Sequence, residues 1–547
     1  MQMLRTWLLV PLIAACAACS QGGGSANTTP TPPPPPPPPS GSHTDVITYK
    51  NDVARTGQNL TETTLTLTNV TATSFGLLRT LATDGKVDAQ PLYLSALTIG
   101  GAAHNVAFVA TENDSVYAFD TDSGAVLWQK SLLASGEMPS DDRGCNQVVP
   151  IIGITATPVI DRSAGANGII YVVAMSLASA QNSYHQRLHA LDVTTGAELL
   201  GGPMEIAALY PAAGGGSNTF DPSAYEERAA LLLENGTLYT AWTSHCDASP
   251  YTGWVIAYNA STLAQTAVLN VAANSAGGGP AIWMAGGGPA ADSSGNVYLL
   301  TANGVFDTTL DGNGFPGQGD YGNSFLKLTL SGATLSVADY FSLYNAVDES
   351  STDTDLGSGG TLLLPDVSDS GGTTRHLMVG AGKDGNLYVV NRDSMGKFNP
   401  NNNDAIWQEL PGVLGGGVWS TPAYFNGAVY YGPQGGPLLA FTLSNAMLSA
   451  APSSQSAASF AYPGTAAAVS ASGTANGIVW AHENAGSGAA VLHAYDATNL
   501  AKELYNSTQA ANGRDSFGAA NKFITPTIAD GKVLVGTTSG VGVFGLL

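Results

Sequence analysis

Six residues with chemistry to offer stand at the starts of short strand-like runs: Glu227, Arg228, Trp283, Asp355, Trp419 and Lys522. The tryptophans present flat faces for stacking, and Arg228 or Lys522 can hold an anionic group, so the set suits a small polar or planar ligand. Asp355 is the candidate general base if the site performs chemistry. For each of them the competing role is a structural salt bridge or simple packing. A second group, Asp307, Asp311, Asn313 and Asp320, lies in a glycine-rich stretch and offers hard oxygen ligands to Ca²⁺. Its spacing does not complete an EF-hand loop, so a flexible turn is the alternative. His185, His189 and His493 fall in or beside strands, and the last two occupy equivalent repeat positions, which favours structural roles. Gly-x-Ser-x-Gly, Walker and His-Glu-x-x-His patterns are absent.

The elements that must position these residues follow from a repeat. One pattern recurs: a strand, a turn, a strand closing on an aromatic or aliphatic residue plus Asp or Asn, then a polar turn. Val106-Ala107-Phe108-Val109-Ala110 leads to Ser115-Val116-Tyr117-Ala118-Phe119-Asp120, then Ser123-Gly124 and a last strand with Leu127-Trp128. Further copies close at Asp192, Asn259, Leu328, Asn391, Phe441 and Asp496, and a last one is cut short at Val541-Gly542-Val543-Phe544, which makes eight. Alternation of apolar and polar residues supports strands. A further short strand precedes each copy, as in Thr421-Pro422-Ala423-Tyr424-Phe425, so each unit has the four strands of a propeller blade. The eighth unit lacks its outer strand, while residues 75–81 form a strand without a blade. Pairing the two closes the ring and leaves no free edge at the seam. The expected fold is therefore all-β, an eight-bladed propeller of four-stranded antiparallel blades closed by an N-terminal strand. The loops at 135–152, 176–186, 243–253, 303–322 and 344–358 are long, share the face of the central funnel, and are where function is expected.

Composition limits the partners. The chain has 547 residues and a formal charge of −22, from 19 basic and 41 acidic residues, which repels a phosphate backbone and excludes nucleic acid. The N-terminus has one charge at Arg5, an apolar stretch too short to span a bilayer as a mature helix, and small residues before a cysteine, the layout of a secretory signal. Ile13-Ala14-Ala15-Cys16 resembles a bacterial lipobox, with Cys19 as the alternative acylation site; neither is followed by Asp, which implies sorting to the outer membrane. An ordinary cleaved signal is the competing reading. The run Pro32 to Pro39 belongs to a semi-rigid spacer. The expected organisation is a signal peptide at 1–15, a lipid anchor and Gly/Ser/Pro linker at 16–44, and the propeller at 45–547. Cys145 and Cys246 sit in loops of the funnel face about one blade apart, and in an exported protein they are expected to form a disulfide. Two free thiols, or a metal pair with His245, is the alternative.

Tyr117-Ala118-Phe119-Asp120, with Ser123-Gly124 and Trp128, is similar to the repeat of quinoprotein alcohol dehydrogenases and of the non-enzymatic outer-membrane assembly lipoproteins that share their fold. Asn51-Asp52-Val53-Ala54-Arg55-Thr56-Gly57 also resembles the lead-in of PQQ-repeat proteins. The dehydrogenases clamp PQQ between a tryptophan and a disulfide of adjacent cysteines, with Ca²⁺ and an acidic base beside the quinone. This chain departs from that pattern: Cys145 and Cys246 are far apart, and no Cys-x-x-Cys-His serves a haem. The resemblance therefore implies an envelope module that binds a small ligand or an envelope protein. A PQQ-dependent dehydrogenase of an alcohol or sugar is the second reading, and a glycan-binding or glycan-processing propeller the third, the latter needing two carboxylates about 5 to 10 Å apart for hydrolysis.

Overall fold

The aspartate or asparagine that closes a third strand has a local task. Asp120 Oδ1 accepts from the amides of Asp122 and Ser123 at 2.9 and 2.8 Å, and Asp192 Oδ1 accepts from Thr194 and Thr195 at 2.8 and 3.0 Å. Asn259, Asn391 and Asp496 do the same for Ser261, Asp393 and Thr498. A short acceptor side chain thus satisfies the amides of the turn that follows, which is why this residue type recurs there. In the second unit the turn ends at Gly196, with φ +67°. A Cβ there would lie 2.7 Å from the ring of Trp128, whose indole donates to Val193 O at 3.0 Å. The outer strand of one unit is therefore docked onto the turn of the next.

The computed structural model describes residues 44–146, 148–212, 215–274, 279–483 and 488–547. Cys16, Cys19 and the proline run lie outside the described residues. Eight small antiparallel sheets form an eight-bladed propeller: blade 1 spans 92–131, blade 2 159–205, blade 3 232–270, blade 4 290–342, blade 5 362–410, blade 6 423–459, blade 7 468–506 and blade 8 527–546. The outer strand of blade 8 is Phe75–Ala82, antiparallel to Gly540–Leu546 in a register from Phe75 opposite Leu546 to Ala82 opposite Gly540. The ring closes as its sequence requires. Among the described residues no helix is long and apolar enough to cross a membrane.

Strand alternation is weaker than expected. Ser115–Asp120 is buried throughout and Ile169–Ala178 in nine of ten positions. Neighbouring blades cover both faces of these middle strands, so they need apolar residues on both sides, as a doubly covered sheet does.

The lead-in segment runs past the inner strands and bonds to each blade in turn. Val46 pairs with Tyr93 of blade 1, and Ile47 O accepts from Ile160 of blade 2 at 2.8 Å. The buried Arg55 donates to Leu231 O beside blade 3 at 3.1 Å and to Pro289 O beside blade 4 at 2.9 Å. The carbonyls of Val53, Ala54, Thr56 and Gly57 accept from Ala291, Leu363, Tyr424 and Val469 in blades 4 to 7, and Asn59 Nδ2 donates to Ile528 O of blade 8. All eight innermost strands are thereby stitched to one segment. Its contacts reach the first residues of those strands and the residues just before them, as at Gln90, Leu231, Pro289 and Pro422.

Candidate functional site

The loops that lead into the innermost strands converge on a pocket of about 300 Å³, small for a ligand cavity. Trp283, Asp355, Trp419 and Lys522 all line it, although they come from loops spread over some 240 residues. Trp419 meets the Tyr462 ring edge-on at 5.2 Å, and the chain must be glycine at Gly417, where a Cβ would lie 2.7 Å from the indole. Trp283 meets Phe523 edge-on at 6.3 Å and packs against Val148 and Ile152 of a rim loop. Two aromatic pairs therefore wall the pocket at fixed angles.

Asp355 is buried, and its carboxylate lies 2.6 Å from Lys383 Nζ, which also reaches Asp353 Oδ1 at 2.8 Å. Asn303 Nδ2 donates to the same Asp353 oxygen at 3.0 Å. Burial pushes the Asp355 carboxyl above its ordinary range, with Lys383 pulling the other way. Burial works against the Lys383 charge, but Asp355 and Asp353 more than offset it and raise its pKa. Asp355 is thus held as half of an ion pair beside two aromatic walls.

Glu227 and Arg228 are not both at the funnel. Adjacent residues of an extended chain point to opposite sides. Glu227 turns into the blade, where Oε1 accepts from Ala241 N at 3.3 Å and burial drives its pKa well up. Its neighbour Glu226 shares the side of Arg228 instead. Arg228 donates to Thr155 O at 2.7 Å and lies 5.2 Å over the Phe523 ring, behind the pocket wall.

Beside it is a cluster that the sequence reading missed. Asp88 and Glu112 are both buried, Lys86 Nζ reaches Glu112 at 2.8 Å, and Asn521 reaches Asp88 at 2.7 Å. Burial and the nearby Asp88 push Glu112 up to about 10, while burial pushes Glu226 up to about 8. The signal for Glu112 and Lys383 lay in the repeat. Each is the charged residue shortly after the second strand of its blade, in Ala110-Thr111-Glu112 and Ala381-Gly382-Lys383.

The proposed calcium ligands are engaged by amides of their own loop and by neighbouring segments. Asp307 accepts from the amides of Thr309 and Gln318, Asp311 from Asn313 and Phe315, and Asp320 from Asn274, while Asn313 O accepts from Lys397. Among the described residues no group of three or more His, Cys, Asp or Glu is placed to hold a metal. Cys145 and Cys246 form a disulfide with Cα atoms 5.5 Å apart, and the residues after them, Asn146 and Asp247, line the pocket. The bond therefore pins the rim. His245, buried and driven down to about 4 chiefly by burial, packs edge-on against Tyr184. His185, His189 and His493 pair with Glu205, Glu198 and Glu503 respectively.

No protein family and no curated protein matches this sequence. Solved structures do match its fold. The quinohemoprotein alcohol dehydrogenase of Comamonas testosteroni is 15% identical with a TM-score of 0.59, over 92% of this chain and 80% of that one. The quinohemoprotein alcohol dehydrogenase ADHIIG of Pseudomonas putida HK5 is 14% identical with a TM-score of 0.59 and the same coverage. BamB of Moraxella catarrhalis is more distant, 11% identical with a TM-score of 0.46, over 86% of this chain and 97% of that one. At such identities the likeness is one of fold, a PQQ-type propeller, and function must come from the site.

The residues present do not reproduce a PQQ clamp. Trp283 supplies one face, but the disulfide joins two separate rim loops rather than adjacent cysteines, and no metal cluster stands beside it among the described residues.

Proposed function

We propose that this protein is a ligand-binding module of the bacterial envelope, anchored through Cys16 or Cys19 in the outer membrane, whose funnel takes a small polar ring-shaped molecule. The observation that carries this reading is the pocket itself: four residues of compatible chemistry, Trp283, Asp355, Trp419 and Lys522, meet in one cavity with a fixed ion pair at its wall. A dehydrogenase reading draws on Asp355 alone, a buried carboxyl with a raised pKa beside the cavity. Equilibrium binding of PQQ with and without Ca²⁺, followed by tryptophan fluorescence, separates the two. Saturable uptake of PQQ followed by alcohol or sugar oxidation with a dye acceptor would overturn the binding-module reading; quinone-free protein that binds another small ring ligand supports it.

A further inference from the structure

The pocket carries charge, but that charge is already engaged by the protein. Among the described residues that line it, the charged ones are Asp247, Asp353, Asp355, Lys383 and Lys522. Lys383 bridges Asp353 and Asp355 at 2.8 and 2.6 Å. Asp247 accepts from the Ser244 hydroxyl, Lys522 stands 5.6 Å over the Phe523 ring, and both make further contacts within the protein. Behind the wall, Arg228 is held by Thr155 O, and Lys86 by Glu112 and Val149 O. A charged ligand would leave water for a site whose counter-charges are taken, and could be neutralised only by breaking one of these contacts. An uncharged ligand meets no such cost. The three acids of the lining outnumber its two bases, so a cationic analogue is the stricter control.

We infer that the funnel ligand is an uncharged monosaccharide of the hexopyranose class, its C–H patches packed on Trp283 and Trp419 and its hydroxyls met by neutral polar side chains. This rests on the ligand-binding reading above and names its ligand. Both tryptophans line the pocket and are only partly buried, so indole surface is left to the cavity. Asn146, Thr243, Ser244, Tyr251 and Asn303 also line it, and they come from separate loops. Their amides and hydroxyls both donate and accept, as sugar hydroxyls do. A hexopyranose carries such groups all round its ring, which suits partners spread over several loops. A flat heteroaromatic ligand asks instead for a slot of parallel plates. Neither aromatic pair provides one, since Tyr462 stands at 76° to Trp419 and Phe523 at 88° to Trp283. The volume of about 300 Å³ admits a single ring rather than a chain.

The test is a tryptophan-fluorescence titration of the detergent-solubilised full chain with glucose and galactose, with the amino sugar and the uronate of each, and with PQQ. At least one neutral sugar should saturate, at least about tenfold more tightly than its two charged analogues, a factor of ten being about 1.4 kcal/mol. Lys383→Met uncovers Asp353 and Asp355 and should move the preference to the amino sugar, whereas Lys383→Arg should keep it on the neutral one. A charged analogue that binds within tenfold of its neutral parent, or PQQ that binds more tightly than either neutral sugar, overturns the assignment while leaving a ligand-binding funnel. The wild-type titration decides this even if Lys383→Met does not fold. Binding of none of these compounds contradicts both readings.

Discussion

Replacing Arg55 tests whether the lead-in segment holds the ring together. Its guanidinium is buried and donates to Pro289 O, Leu231 O, Tyr49 O and Thr48 Oγ1 at 2.9, 3.1, 2.9 and 2.8 Å. Two of these acceptors belong to the channel walls of blades 3 and 4. Methionine fills much of the stem volume but donates nothing, so Arg55→Met leaves those carbonyls buried without partners. A hydrogen bond to a charged group contributes about 1.5–3 kcal/mol net, so the two inter-blade bonds are together worth about 3–6 kcal/mol. At about 2.1 cal/mol/K per residue over about 500 residues, the unfolding entropy is about 1 kcal/mol/K, and Tm should fall by about 3–6 °C. Differential scanning calorimetry of the full chain reads this directly. A shift below about 1 °C would refute the claim that the lead-in carries inter-blade stability.

Three further outcomes follow from the same geometry. His493 is buried and held above its ordinary pKa: burial opposes its charge, but Glu483 and Glu503 at 3.1 and 2.7 Å outweigh that. Its contribution is therefore complete below the unfolded value of about 6.5 and is lost as pH rises through the raised folded value. Melting of wild type against His493→Gln should show the gap shrinking from pH 6 to pH 9, and a gap that widens contradicts the assignment. Gly196→Ala must both accept φ +67° and push into Trp128, so a loss of about 1–3 kcal/mol is expected by denaturant titration, and a neutral effect refutes the docking role. Reducing Cys145–Cys246 opens a link across 101 residues and frees the loops carrying Asn146 and Asp247. Chain entropy alone assigns such a link about 4–5 kcal/mol. Ligand affinity in the funnel should fall together with Tm, and a reduced protein that binds undiminished shows that the rim does not shape the pocket.

What the sequence disclosed was chemistry that acts over a few residues. Asp120, Asp192 and Asn259 mark turns because each side chain serves its own next amides, so the blades could be counted. Ring closure followed because a strand without a blade and a blade without a strand have one simple solution. The phase at Glu226, Glu227 and Arg228 was illegible, because the extended segment there, Tyr225–Glu226, is too short to show a period of two. Lys383 and Glu112 were missed because the charged residue after each second strand lies outside the apolar pattern that marks the blades. The lead-in was seen without its stitching role, since contacts such as Arg55 to Leu231 and Asn59 to Ile528 span 176 and 469 positions. Asp311 and its neighbours looked like metal ligands because turn-capping and calcium loops use the same residue types.

The central claim is that the funnel pocket is the binding site, and its most direct test is a calorimetric titration of a panel of small polar ring compounds on the wild type, Trp283→Phe, Trp419→Phe and the double variant, so that the signal does not depend on the lost indoles. The account predicts saturable binding by the wild type, weakened in each single variant and abolished in the double one at unchanged Tm. Binding that survives the double substitution would place the ligand elsewhere and contradict it.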